Sequence, residues 1–290
     1  ELDLISNNKK YRSEIFNNNI DHIFKSLSDD EEVSTFYSTS KRDNVYSNLV
    51  KGISGYQSNN DLNNDKTQFF LTYLEQNTNF NSKEKSKSEY FAIGYDLETK
   101  LKNLSIRPLF GVSSNQIDDI ETESGQLIRN NFLGQFFAIN SEYKFNREFG
   151  SNNQLSLKLK SNYAAQRLGK YRSNFTHGDL FVDNALDQAI SAGFNLGYLS
   201  ETNKGLVLNP YIGLSLNKAL SKDIKFKDIN GAGLEENLSK SHAMNGHYAK
   251  TIGLKLNKKF KRFRISLSTE HKNQNELIDN NIHILVRNNI

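Results

Sequence analysis

The sequence has no cysteine, no tryptophan, one methionine and two prolines among its 290 residues. The absence of cysteine excludes a disulfide framework and any thiolate metal site, and it is typical of compartments where free thiols are a liability. No apolar run approaches the ~18 residues of a transmembrane helix. The opening "ELDLISNNKK" lacks a start methionine and the apolar core of a signal peptide. We therefore expect the chain to be a fragment of a longer polypeptide.

The charge is nearly balanced, with 37 basic and 33 acidic residues interspersed along the chain. Because no Lys/Arg-rich block stands apart from the acidic residues, we expect no nucleic-acid partner. Aromatic residues make up 11% of the chain, with 19 Phe and 13 Tyr. That is far more than a disordered chain of such polarity usually carries, so the sequence predicts a folded protein.

What the chain has instead is a two-residue alternation of apolar and polar positions. In "LVLNPYIGLSLNKAL" the even positions are apolar, and "TIGLKLNKKF" repeats the pattern. Such alternation is typical of a strand with one apolar and one polar face. We predict that the apolar face meets lipid, through Leu208, Ile212, Leu214, Leu216, Ile252, Leu254 and Leu256.

The opposite faces of these strands carry lysine and asparagine. Charged side chains would be costly in the dry core of a soluble sandwich, but they are comfortable in a water-filled lumen. We predict that the lumen-facing residues include Lys158, Lys160, Asn195, Ser215 and Lys255. The pattern therefore predicts an all-β fold, a transmembrane up-and-down antiparallel β-barrel.

Connection lengths support a barrel that crosses a membrane. Short links are predicted near 100–103, 146–153, 200–204 and 258–261, and long polar links near 79–89, 113–131, 167–185 and 217–244. Alternating short turns and long loops are typical of outer-membrane barrels, which have even strand numbers. Eleven strands are clear from residue 45 onward, and "VSTFYSTS" at 33–40 could supply a twelfth. We expect about twelve strands, with ten or twelve both open because the final hairpin is short. Pro108 and Pro210, each soon after a short link, are expected near the short-turn rim.

A helical period precedes the strands. Apolar residues recur at spacings of three and four at Tyr11, Ile15, Phe16, Ile20, Ile23, Phe24 and Leu27. This stripe predicts an amphipathic α-helix. We expect residues 1–31 to form a linker and a helix lying in the pore, and residues 32–290 to form the barrel.

Several motifs resemble the autotransporter β-domain of type V secretion in Gram-negative bacteria. "LNPYIGLSL", then "FKDINGAGLEENLSKS", then "AKTIGLKLNKKF" is similar to that family's proline–aromatic–glycine strand, Gly-Ala loop and "GLRL"-type strand. "NVYSNLVKGISGYQSN" resembles its early strand, and "FFAINSEYKF" with "LSLKLKSNYAAQR" its central hairpin. The resemblance covers residues 45–272. Two features depart from it: Tyr46 stands where Trp is usual, and the chain ends on Ile290 rather than an aromatic residue.

The resemblance implies an outer-membrane translocator or anchor for an N-terminal passenger that this chain does not contain, with the helix in the pore after export. It also implies partners: outer-membrane lipid, the barrel-assembly machinery, periplasmic chaperones and the chain's own passenger. The implied location is the bacterial outer membrane. We expect no enzyme activity on other molecules and no cofactor.

One stretch suggests chemistry. Some autotransporters release their passenger by self-cleavage at an Asn–Asn bond in the pore helix, and Asn17, Asn18 and Asn19 stand within the predicted helix. Paired asparagines recur elsewhere in the chain, so a plain polar helix face is the favoured interpretation. The six histidines are scattered without a third ligand at metal spacing, so we expect no metal site.

Three alternatives remain open at this stage. The first is a free-standing outer-membrane barrel, a porin-like channel or an adhesin. The second is an outer-membrane protease or lipid-modifying enzyme, which needs a histidine and carboxylates clustered at the long-loop rim. The third is a soluble β-sandwich, which the alternating connections and the charged inward positions disfavour.

Overall fold

The computed structural model describes most of the chain. The described residues are 7–27, 33–42, 45–57, 67–98, 103–120, 127–150, 152–175, 178–182, 185–202, 204–220, 226–228, 247–261, 263–274 and 277–288. They include one helix, α1 (Asn7–Ser26). They also include fifteen strands: β1 (Val33–Arg42), β2 (Tyr46–Gln57), β3 (Thr67–Phe80), β4 (Lys85–Glu98), β5 (Leu104–Ile120), β6 (Leu127–Glu148), β7 (Asn153–Leu168), β8 (Tyr171–Phe175), β9 (Gly178–Val182), β10 (Ala185–Glu201), β11 (Leu206–Ala219), β12 (Phe226–Asp228), β13 (His247–Lys259), β14 (Phe263–Gln274) and β15 (Leu277–Asn288).

Twelve strands form a closed antiparallel barrel in which neighbours in sequence are neighbours in space. The barrel closes where β1 pairs with β15, from Val33 opposite Asn288 to Arg42 opposite Asp279. Because the barrel is closed, its sheet has no unpaired edge, which is the condition for a β-sheet to lie in hydrocarbon. The short strands β8, β9 and β12 form a separate three-stranded sheet. The predicted twelve-stranded up-and-down barrel with one N-terminal helix is confirmed.

The two rims of the barrel carry different connections. We call the rim where β1 begins and β15 ends the terminal rim. It also carries connections 58–66, 99–103, 149–152, 202–205 and 260–262. The loop rim, at the other end, carries connections 43–45, 81–84, 121–126, 169–184, 220–246 and 275–276. The four predicted short links all lie at the terminal rim, and the two longest connections lie at the loop rim.

Two of the predicted long links are wrong. Most of 79–89 and 113–131 is strand, because β3 and β4 meet in a tight turn at 81–84 and β5 and β6 leave only 121–126 between them. The 22 residues of β6 far exceed the ~9–11 that cross a bilayer. These hairpins extend past the apolar zone with polar residues on both faces, so they carry no apolar alternation for the sequence to reveal.

Local backbone choices shape the terminal rim. Gly150 and Gly205 sit in its turns with φ of 79° and 69°, a left-handed conformation that glycine adopts without strain. Pro108 is the fifth residue of β5, and Pro210 is the fifth residue of β11. Both strands begin at this rim, so the prolines lie near it as predicted.

Inside the barrel, aromatic rings cover glycines directly opposite them on the next strand. The register pairs Phe36 with Gly52, Phe70 with Gly94, Phe136 with Gly111 and Tyr211 with Gly253. A Cβ at any of these glycines would overlap the facing ring. The missing side chain therefore lets each ring lie flat against the barrel wall.

Candidate functional site: the helix in the barrel lumen

Helix α1 enters the barrel at the loop rim and runs toward the terminal rim. Near its start, Tyr11 and Ile15 pack on Tyr46 and Phe80, beside the two hairpin turns of the loop rim. Near its end, Ser26 Oγ lies 2.8 Å from Ser54 Oγ on β2, deeper in the barrel toward the terminal rim. At ~1.5 Å rise per residue, its 20 residues span about 30 Å, close to the thickness of the hydrocarbon core.

The apolar stripe of the helix is buried against one half of the barrel wall. Phe16, Ile20, Ile23, Phe24 and Leu27 are buried in one cluster with wall residues. The wall contributes Phe36, Val50, Phe70, Leu74, Tyr90, Ala92, Leu109, Phe136, Ala138, Ala164 and Leu285, almost all from β1 to β7. Burial of five large apolar side chains stabilises the helix by roughly 1.5–3 kcal/mol each, which fixes it in the pore.

Two ion pairs bind the helix to the wall at the loop rim. The Arg12 guanidinium donates to both carboxylate oxygens of Asp187 on β10, at 2.7 and 3.0 Å. Glu14 accepts from Arg42 on β1 at 2.6 Å and from the Tyr46 hydroxyl at 3.2 Å. The Arg42 side chain is only 1% exposed, so this carboxylate offsets a buried charge.

A second cluster of charges lies deeper in the barrel, near the C-terminal end of the helix. Lys25 Nζ lies 3.1 Å from Asp21 one turn earlier, and 3.2 Å from Glu270 on β14. The Tyr211 hydroxyl donates to the same Glu270 carboxylate at 2.6 Å. The helix is therefore held by charge pairs at both ends and by apolar packing between them.

The polar side of the helix faces two cavities along the other half of the wall. The first, of about 100 Å³, is lined by Lys158, Lys160, Asn195 and Lys255, four of the five residues predicted to face the lumen. The second, of about 110 Å³, is lined by Ser215, the fifth, and again by Lys160 and Asn195. The structure thus brings all five into the lumen beside the helix.

The residues predicted to face lipid lie on the outside of the barrel. Ile212 and Ile252 are opposite each other in the register and 55% and 65% exposed on the outer face. Leu214, Leu216 and Leu254 are exposed beside them, and Leu208 pairs with Leu256 nearer the terminal rim. Exposed aromatic side chains lie toward the same rim, at Tyr95, Tyr143, Tyr198 and Phe260. Because the chain has no tryptophan, tyrosine and phenylalanine have to form an aromatic girdle at the membrane interface.

The three asparagines of the predicted self-cleavage stretch lie within α1. Asn17 and Asn18 line the second cavity, together with the carboxylates of Asp21 and Glu270. Asn19 is fully buried. The structure brings side chains of this stretch next to acidic groups, and self-cleavage stays a prediction.

Histidines do not form a metal site in the described part of the chain. His22 of the helix stacks on His283 of β15, with ring centroids 6.0 Å apart. Among the residues with described side chains, no group of three or more His, Cys, Asp or Glu could hold a metal ion. Within the same described portion, no helix has the length and apolarity needed to cross a membrane.

Sequence reasoning missed the helix-binding half of the lumen. It assigned the lumen a polar lining, yet Phe70, Leu74 and Leu109 point inward and are fully buried. The signal was present in "QFFLTYL", where positions of both parities are apolar. It also missed Arg42, Asp187 and Glu270 as partners of the helix, which could have been sought among charged residues at inward positions.

Comparison with solved structures shows which known fold this architecture matches. The translocator domain of the autotransporter NalP from Neisseria meningitidis aligns over 100% of both chains, with TM-score 0.68 and 10% identity. The β domain of the Bordetella autotransporter BrkA aligns over 89% of this chain and 98% of its own, with TM-score 0.56 and 13% identity. The transport unit of AIDA-I from Escherichia coli aligns over 98% and 99%, with TM-score 0.54 and 9% identity.

Sequence comparison adds nothing to this. No protein-family model matches the chain, and no curated protein matches it. The chain is a closed β-barrel with the fold of an autotransporter translocator domain.

Proposed function

We propose that this barrel is the translocator and anchor of an autotransporter, which exports or displays a passenger joined ahead of α1. The observation that carries the proposal is the direction of the helix. The first turn of the helix lies at the loop rim, whereas β1 begins and β15 ends at the terminal rim. Any chain that precedes Asn7 therefore leaves through the rim with the longest connections, which faces the cell exterior in barrels of this kind.

The packing of the helix supports an anchoring role after export. Arg12 and Glu14 bind the wall near one end of the helix, and Lys25 and Ser26 bind it near the other. The apolar cluster between them resists withdrawal of the helix in either direction. A passenger joined to α1 would thus stay attached to the cell surface. Assembly of the barrel would use the barrel-assembly machinery and periplasmic chaperones, as the resemblance implies.

Protease treatment of intact cells tests the export proposal. An epitope-tagged passenger is joined ahead of α1 behind a secretion signal, and trypsin is added before and after the outer membrane is permeabilised. A periplasmic reporter that stays uncut confirms that the cells are intact. We expect the tag to be lost in intact cells while the barrel remains folded. A tag that is protected until permeabilisation would contradict export and favour the alternative of a free-standing channel.

A further inference from the structure

The first lumen cavity is a small compartment between the helix and the barrel wall. Its lining comes from Lys25 of α1 and from strands β7, β10, β11, β13, β14 and β15. Four of its lining residues are neighbours in the register: Asn209 pairs with Lys255, Lys255 with Ser268, and Ser268 with His283. One wall of the cavity is therefore a row of side chains from four adjacent strands.

Lysines from three elements line this cavity. Lys158 and Lys160 are alternate inward residues of β7, Lys255 lies on β13, and Lys25 lies on the helix. Among the described residues of the lining, Glu270 supplies the only carboxylate. Positive charge from both sides of the lumen is therefore gathered around one space.

Nearby carboxylates reduce this charge but do not cancel it. Glu270 and Asp21 bind Lys25 at 3.2 and 3.1 Å, and Glu142 binds Lys160 at 3.1 Å from behind the lining. The four lining lysines thus outnumber these three carboxylates. Excess charge of one sign in a recess with low-dielectric walls focuses the field on the enclosed space and attracts counter-ions.

Two uncharged side chains of the lining have buried polar atoms without a hydrogen-bond partner among the described residues. Ser266 is 2% exposed and its Oγ has no such partner, and neither ring nitrogen of His283 has one. A hydroxyl can donate, and an imidazole carries at least one N–H. Buried polar groups are rarely left unpaired, so these donors point to a bound ion or water as their partner.

The size of the cavity limits what it can hold. Its volume is about 100 Å³. That is the space of about three water molecules, at ~30 Å³ each. A single tetrahedral oxyanion fits such a space, whereas a sugar phosphate or a nucleotide does not. Lysine suits this ligand, because its ammonium group is a compact charge with three donors and a common partner of phosphate.

We propose that the first lumen cavity binds one small tetrahedral oxyanion, inorganic phosphate or sulfate. Lys158, Lys160 and Lys255 supply the charge, and the Ser266 hydroxyl donates a hydrogen bond. Because Lys25 lines the same cavity, the anion links α1 to β7 and β13 on the polar side of the helix. Binding in this cavity requires no connection to the second, and it does not depend on passenger export, so either proposal can fail alone.

Calorimetric titration tests the proposal on the intact chain, refolded in a non-ionic detergent with chloride held constant. Sodium phosphate is the ligand, and sulfate is added as a competitor. We expect saturable binding of one phosphate per chain, weakened by sulfate. The midpoint of the heat-induced shift on electrophoresis should also rise with phosphate and level off, because the ligand binds only the folded state. No binding, or binding that does not saturate at one phosphate, would overturn the proposal.

Variants separate a site from a general attraction of anions to the lumen. Lys158→Gln with Lys255→Gln should weaken phosphate binding about tenfold or more, since hydrogen bonds to charged groups are lost. Ser266→Ala should weaken it severalfold and serves if the double variant does not fold. Lys272→Gln is the matched control, because Lys272 lines the second cavity and not the first. It should change the dissociation constant less than about threefold, since salt screens a charge that makes no contact. Equal weakening by Lys272→Gln would overturn the assigned site.

Discussion

Replacing Leu214 with arginine tests which face of the barrel meets lipid. The outward positions of β11 are apolar from Leu206 to Leu216, and Leu214 lies one outward position from Ile212, near the middle of this stretch. Arginine on the lipid face costs ~2–4 kcal/mol at the bilayer midplane and less toward the interfaces. Because Leu214 is slightly off centre, we expect a loss of about 2 kcal/mol, roughly a thirtyfold change in the folding equilibrium constant.

The neighbouring residue gives a control at the same depth. Ser215 faces the second lumen cavity, where an added cation meets water and the carboxylates of Asp21 and Glu270 instead of hydrocarbon. Ser215→Arg should therefore cost less than ~1 kcal/mol. The assay is urea titration of each variant refolded in lipid vesicles, with the folded fraction read from the heat-modifiable band on electrophoresis. Equal losses for the two variants would refute the assignment of faces.

Three further predictions concern the helix and the wall around it. Glu14→Ala should destabilise the barrel by about 3 kcal/mol, since it removes the carboxylate from buried Arg42, whereas Glu75→Ala in the exposed Lys51 pair should cost less than ~1 kcal/mol in the same titration. Gly94→Ala should cost ~1–3 kcal/mol through overlap with the Phe70 ring and with the backbone oxygen of Pro108, and adding Phe70→Leu should restore the part that is due to the ring; no recovery would show that the ring is not a cause. Mass spectrometry of the refolded chain should show it intact, because the asparagines at 17–19 lie in the hydrogen-bonded interior of α1; a break between them would establish self-cleavage.

The barrel could be predicted from the sequence because the lipid face and the lumen require opposite chemistry at alternate residues. On β11 and β13 this alternation is nearly unbroken, and the faces of Ile212 and Lys255 follow from it directly. On β3 the alternation is hidden, since Phe69 and Leu71 lie on the outer face while Phe70 packs on the helix. Such a strand is apolar on both faces. The apolar residues on its inner face are explained only by the helix that packs against them.

The helix was predictable as an element, but its partners were not. The spacing of Phe16, Ile20 and Ile23 predicts a buried stripe. Nothing in the local sequence links Arg12 to Asp187, 175 residues away, because that contact depends on the rotation of the helix within the closed barrel. The long hairpins at the loop rim were missed for a related reason: outside the bilayer both strand faces meet water, so the backbone ladder continues without an apolar pattern.

Cysteine labelling on intact cells tests the central claim, that the chain ahead of α1 leaves through the loop rim to the cell exterior. The natural sequence has no cysteine, so each introduced thiol reports one site. Asn81→Cys marks the β3–β4 turn at the loop rim, Lys204→Cys marks the β10–β11 turn at the terminal rim, and a third variant carries a cysteine tag joined ahead of Asn7. With a membrane-impermeant maleimide, we predict that Asn81→Cys and the tag are labelled in intact cells, and that Lys204→Cys is labelled only after permeabilisation. Labelling of Lys204→Cys in intact cells, with the tag and Asn81→Cys protected, would contradict the account.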